Sequence, residues 1–321
     1  MTSDADSNDS ELWFDDGTVV LSANKSRSGT LVRFCIHKSI LSKHSPIFKD
    51  MFSMPCPNDI DLYADIPLVH LPDDAEDLRA FLKFMYDPCF MPVGQYLPES
   101  PTVMHGPFKL ATKYQADQLQ SRILQQLRLD WPSSLGGYDC RLKSFSRDPT
   151  QDRKVFSPSI PLPEDYKPYM VISMLRDAPC RQEAAGVLAL AYYETACTLS
   201  FAPPEPGFLT DDDYLKIIIG QESMAKRIRH FLKPRIQKSC SQHVAIKGLC
   251  DIPQFWDSFW INLAGRHNFL YFLSEQIDVL QEFTLPRPCI YCSPVAQSTL
   301  SACREDLFKF LSQAYALIPT S

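Results

Sequence analysis

Residues Phe34 to Phe52 read FCIHKSILSKHSPIFKDMF, and the folding of this stretch decides the fold on either side of it. Val32, Phe34 and Ile36 alternate with Arg33 and Cys35, the period-two pattern of a strand with one covered face. Past His37–Lys38 the spacing turns helical. Ile40, Leu41 and His44 fall on one face of a short helix that must end before Pro46. Ser45 is a fitting N-cap and Pro46 a fitting first residue for a second helix carrying Ile47, Phe48, Met51 and Phe52, which Met54–Pro57 terminates.

Upstream, WFDDGTVVL holds a β-rich run at Thr18–Leu21, and NKSRSG supplies turn residues between it and Val32, so a hairpin is expected. Residues 1–10 contain almost nothing to bury and are expected to form a solvated acidic tail. Downstream, Leu68–Leu71 reads as a short strand. Asp73 or Asp74 can cap a helix with Leu78, Phe81, Leu82 and Met85 on its apolar face. A proline-rich loop is expected from Pro88 to Pro107. Two helices follow, one with Phe108, Leu110, Ala111 and Tyr114, the other with Leu119, Ile123, Leu124 and Leu127. The unit closes near Trp131, giving a compact α+β domain over residues 11–132.

These motifs carry a resemblance. The pattern F-x-I-H-K-x-x-L-S-x-x-S-x-x-F-x-x-M-F, then VHLPDDAEDLRAFLKFMYDP and LATKYQADQLQ, is similar to the BTB/POZ domain. More narrowly, the chain resembles the large fungal, basidiomycete-type family of BTB proteins in which WFDDGTVVL opens the fold. Asp211–Glu222, DDDYLKIIIGQE, resembles a segment in the C-terminal half of those proteins. The resemblance implies a small β-sheet flanked by helices and used for protein–protein association. It also implies partners: a second copy of the chain, transcriptional corepressors, or a cullin-type ubiquitin ligase. Many BTB domains carry an Asp directly before the first strand's apolar pair, in a charged pocket at the dimer interface. Thr18 takes that place here, with Asp15 and Asp16 displaced upstream.

Residues 133–163 are rich in Ser, Pro, Gly and charge without an apolar period, and are expected to be a flexible linker. Residues 164–321 read as a mainly α-helical C-terminal domain. Asp211–Asp213 open a helix whose bases come late, which suits the helix dipole. Two aromatic-rich helices break near Gly265, and Leu300, Cys303, Leu307, Phe310, Leu311, Ala314 and Leu317 follow 3–4 spacing.

A net charge of −6 over 321 residues argues against a nucleic-acid partner, since neutralising a phosphate backbone needs a basic field. No apolar run approaches the roughly 18 residues of a spanning helix, and MTSDADSNDSE lacks the pattern of a secretory leader. Eleven cysteines in such a chain are expected to be reduced thiols, which places the protein in the cytoplasm or nucleus. Cys289 and Cys292 have the two-residue gap of a zinc ligand pair, and Cys240 with His243 repeats it; Cys250 is a further ligand candidate. Such a set would be closed and structural. The balance falls on cysteines that simply pack, so no cofactor is expected beyond that possible zinc. A thiol-redox role is weaker, because no βαβ pattern surrounds Cys289.

His37 and Lys38, at the strand-to-helix junction, have no nucleophile or metal partner at useful spacing, and His37 is read as a hydrogen-bonded turn residue. Lys226, Arg227, Arg229, Lys233, Arg235 and Lys238 are read as a solvated helix end. No catalytic constellation emerges, so the expectation is a non-enzymatic protein-interaction module, with the zinc or thiol protein as the competing class.

Overall fold

The computed structural model describes residues 6–26, 28–54, 61–87, 89–145, 166–199, 202–241, 250, 252–281 and 291–315. The chain divides into two compact units, Met1–Asp130 and Trp131–Ser321.

The first unit holds a five-stranded sheet. Its strands are β1 (Ser7–Trp13), β2 (Val19–Asn24), β3 (Leu31–Ile36), β4 (Leu62–Tyr63) and β5 (Ile66–Asp74), in the order β1-β3-β2-β5-β4. The hairpin forms as expected: β2 and β3 are antiparallel, with Leu21 opposite Phe34. Gly29 closes its loop at φ +72, a conformation that costs glycine nothing, and donates to the Lys25 carbonyl. Val19 to Ala23 are all buried because β2 is covered on both faces, so its sequence runs apolar instead of alternating.

The stretch expected as a tail differs. From Ser7 it is β1, parallel to β3, with Asp9 buried against Arg79 at 2.6 Å and Leu12 in the core. Its composition offers little to bury, but its backbone pairs with β3 and its carboxylates meet Arg79 and Lys83, about seventy residues away. Composition alone cannot show either.

Five helices complete the unit: α1 (Lys38–His44), α2 (Pro46–Ser53), α3 (Ala75–Tyr86), α4 (Ser100–Lys113) and α5 (Asp117–Asp130). Ser45 caps α2 by accepting from the Phe48 N–H at 3.1 Å, and its own hydroxyl donates to the Tyr114 carbonyl at 2.6 Å. Asp74, not Asp73, caps α3, accepting from Glu76 and Asp77. Phe34, Phe48, Phe81 and Phe108 are fully buried between sheet and helices, each worth about 1.5–3 kcal/mol. The proline-rich loop is shorter than expected, because α4 already starts at Ser100 and carries Pro101 and Pro107. Pro101 sits in the first turn, where no donor is needed. Pro107 is held by burial beside Gly106, where an added Cβ would lie 2.3 Å from Asp77 Oδ1.

In the second unit every described element is a helix: α6 (Leu135–Ser144), α7 (Pro168–Leu175), α8 (Ala185–Thr198), α9 (Asp211–Ser241), α10 (Ile252–Leu263), α11 (Phe269–Gln281) and α12 (Cys292–Ala314). Here the linker expectation is corrected at its N-terminal end. Residues 135–144 form α6, and Tyr138, Arg141 and Leu142 lie in the core of this unit; residues 146–165 lie outside the described residues. The break near Gly265 is as read, at φ +82. On α12, Leu300, Cys303, Leu307, Leu311 and Ala314 are buried and Phe310 is half-buried, while Leu317 lies outside the described residues.

Polar side chains also hold this unit. Arg304 donates to the Leu270 carbonyl at 2.7 Å and to both oxygens of Asp139, tying α12 to α11 and α6. Thr210 and Asp213 form a reciprocal cap at the start of α9: the Asp213 N–H donates to Thr210 Oγ1, and the Thr210 N–H donates to the Asp213 carboxylate at 2.9 Å. Asp213, fully buried, also accepts from Arg176 and Tyr192, each at 2.6 Å. Burial pushes this carboxyl up, but the bonds from Thr210 and Tyr192 and the charge of Arg176 outweigh it and hold the group below its ordinary range. Its contribution is therefore complete above about pH 4 and lost as pH falls through the lowered native value. Asp213→Asn is expected to cost about 2 kcal/mol at neutral pH. The deficit against wild type should narrow below about pH 4, as urea titrations at several pH values would show.

Candidate functional site

The junction at His37 is built from side chains of three segments: the β1–β2 loop, the β3–α1 boundary and the end of α3. Its backbone N–H donates to the Tyr86 hydroxyl at 2.8 Å, and ring Nδ1 lies 3.0 Å from the same oxygen. Ring Nε2 lies 3.2 Å from Asp16 Oδ1. One tautomer satisfies both contacts: Nε2–H donates to Asp16 while Nδ1 accepts the phenol proton. Phe14 stacks on Tyr86 at 4.9 Å and closes the cluster. His37 supplies α1 with no side-chain cap. Thr18 does so instead, accepting from the Lys38 N–H at 2.9 Å through Oγ1. Thr18 thus fastens the helix pair to the hairpin.

With that junction fixed, α2 is two-sided. Phe48 and Phe52 stack at 5.9 Å on the inner side, and Phe48 packs on Tyr114 at 4.4 Å. Ile47, Met51 and Met54 follow at i, i+4 and i+7 on the other side; the first two are half-buried and Met54 is 64% exposed. Lys38 reaches over the Phe52 ring at 5.7 Å. This apolar stripe suits burial under another protein.

The two sheet edges are less inviting. At β1, Glu11 is held by Arg79 and Lys83, and Arg33 pairs with Asp6, so the edge is charged. At the other edge β4 is two residues long. Charge and shortness both discourage strand addition.

One arrangement that the sequence did not disclose resembles chemistry. Ser22 Oγ lies 2.6 Å from His70 Nδ1, and Asp61 Oδ2 is 4.0 Å from His70 Nε2. Ser22 and His70 face each other because β2 and β5 pair in parallel there. A serine nucleophile must reach a carbonyl carbon, and Ser22 is 0% exposed. The pair reads as a cross-strand hydrogen bond.

Of the expected zinc ligands, His243, Cys289 and the side chain of Cys240 lie outside the described residues; Cys250 is half-buried, and Cys292 is buried in the first turn of α12. Among the described residues no group of three or more His, Cys, Asp or Glu could hold a metal ion. Burial raises the Cys35 thiol and pushes Cys303 up to about 12, so both are protonated at neutral pH and poor nucleophiles. In the basic cluster, Lys226 pairs with Glu222, Arg227 grips Asp306 with two bonds, and Arg235 stacks over Phe231 at 3.7 Å. Arg229 and Lys233 line a groove that Trp260 also walls.

The family model of the BTB/POZ domain matches residues 18–128, from the start of β2 to the last turn of α5. That span lies inside the first unit and contains Thr18, His37, Tyr86 and both faces of α2, while Phe14 and Asp16 of the junction precede it. The chain is thus an N-terminal BTB domain, a small sheet with helices, followed by a mainly helical region. BTB domains are in general protein–protein interaction modules. No curated protein matches the chain.

Proposed function

With a BTB domain as its first unit, we propose that this protein is a docking scaffold whose α1–α2 face binds partner proteins while the helical unit presents a second binding surface. The observation that carries this reading is the Ile47–Met51–Met54 stripe, half-buried at its first two residues and exposed at Met54, in a unit whose two sheet edges are poorly suited to pairing. For that face we propose a scaffold or an adaptor role: association with a second copy, with a transcriptional regulator, or with a cullin-type ubiquitin ligase for which the helical unit holds the substrate. The likeness of WFDDGTVVL and DDDYLKIIIGQE to fungal BTB proteins supports the same assignment, in cytoplasm or nucleus. Among the described residues, no helix is long and apolar enough to cross a membrane.

A stable interface removes about 1,600 Å² of total surface from water, more than this stripe alone supplies, so neighbouring residues of the unit contribute. Met54→Glu changes an exposed position and is expected to alter stability by less than about 0.5 kcal/mol. Partners captured from extract by the full chain are expected to fall at least tenfold for this variant, with a wild-type melting curve. Capture of the same partners at wild-type levels would refute the α1–α2 assignment. Light scattering on the same samples separates self-association from a foreign partner. The competing reading, a structural zinc on Cys240, His243, Cys250, Cys289 and Cys292, is decided by metal analysis of that preparation: stoichiometric zinc whose chelation removes helicity would establish it.

A further inference from the structure

Between α9 and α10 lies an open groove of about 580 Å³ lined by Arg229 and Lys233, both exposed, and by Ile236 and Trp260. Its volume falls in the range of small-molecule sites, roughly 300–1,000 Å³. Its chemistry is divided. Ile236 and the indole of Trp260 offer an apolar wall, and the only charges that described residues contribute to the lining are two cations.

Those cations differ from their neighbours on the same helix. Lys216 and Lys226 each pair with a carboxylate four residues back, and Arg227 pairs with Asp306. Among the described residues, no carboxylate pairs with Arg229 or Lys233. Standing at i and i+4, they share one face about 5–6 Å apart and repel each other. An anion bound between them would remove that repulsion, and a guanidinium forks naturally onto a carboxylate. The Trp260 ring beside them would stack on a flat apolar body.

We infer that this groove is a binding site for a small aromatic carboxylate, its anionic end between Arg229 and Lys233 and its ring against Trp260 and Ile236. The site belongs to the helical unit and is independent of the docking face on the BTB domain.

Calorimetric titration of the full chain tests this with naphthalene-1-acetate, its neutral amide, inorganic phosphate and the acidic dipeptide acetyl-Phe-Glu-amide. Saturable one-to-one binding of the naphthalene carboxylate is expected, with the amide and phosphate each at least tenfold weaker. The double variant Arg229→Gln/Lys233→Gln should lose at least tenfold in affinity at an unchanged melting temperature. The charge-preserving exchange Arg229→Lys/Lys233→Arg should retain binding, and Trp260→Leu should weaken carboxylate binding more than phosphate binding. Four results would overturn the inference: no saturable binding at millimolar carboxylate, an amide that binds as well as the acid, a double variant that binds like wild type, or the dipeptide outcompeting the small carboxylate.

Discussion

Arg141→Met is expected to destabilise the helical unit by about 3–5 kcal/mol, because it strands a carboxylate in the core. Arg141 and Glu194 form an ion pair with almost no solvent contact on either side chain. Trp131 Nε1 donates to the second oxygen of Glu194 at 3.0 Å. The guanidinium lies over the rings of Trp131, Phe145 and Tyr166, 4.6 to 5.4 Å from their centroids. Burial works against its charge, but the Glu194 carboxylate more than offsets this and raises its pKa. Removing only the arginine leaves Glu194 with the Trp131 N–H and the Tyr166 hydroxyl but no counter-charge. The double variant Arg141→Met/Glu194→Gln keeps an acceptor for that N–H and removes both ions, so it should recover more than half the loss. Urea titration followed by tryptophan fluorescence reads the change, since Trp131, Trp256 and Trp260 all lie in this unit. A single variant within 1 kcal/mol of wild type would show that the pair is not closed to water.

The second large effect is Gly220→Val. In the interior of a helix, replacing glycine ordinarily stabilises or is neutral. Here a Cβ would stand 2.1 Å from Tyr315 Cε1 and 2.3 Å from Cδ1. The ring cannot simply swing away, because it is fully buried and stacked on Tyr192 at 5.7 Å. Overpacking of this kind costs about 1–3 kcal/mol, and the β-branched side chain puts Gly220→Val at about 3. Gly220→Ala should destabilise less, yet still reverse the usual sign. Combining Gly220→Ala with Tyr315→Leu, which vacates the contested space, should lose less than the two single changes summed.

Legibility followed the range of the interactions. The Ser45–Pro46 signature and the apolar face of α3 rest on neighbours within a few residues and formed as read; Val32, Phe34 and Ile36 are buried as expected, but Cys35 between them is buried too, because β3 is paired on both sides. The cap at Thr210–Asp213 is equally local, its two partners three residues apart. Features that depend on distant partners were not visible. β1 becomes a strand because β3 lies beside it, and α6 is a core helix because Glu194 waits 53 residues away for Arg141. A polar composition cannot distinguish a linker from a segment whose charges are matched elsewhere. The same limit hid the α2 stripe and the groove at Trp260. Ile47 and Met51 have the same spacing whether they face core or solvent, and Trp260 joins Arg229 and Lys233 only in the folded unit.

Hydrogen exchange on the captured complex puts the docking scaffold to its most direct test, comparing free and partner-bound full chain. The account expects slowed exchange concentrated in residues 38–54, across α1 and α2, with the edges at β1 and β4 little changed. Slowing confined to residues 131–315, with α1 and α2 exchanging as in the free chain, would contradict it.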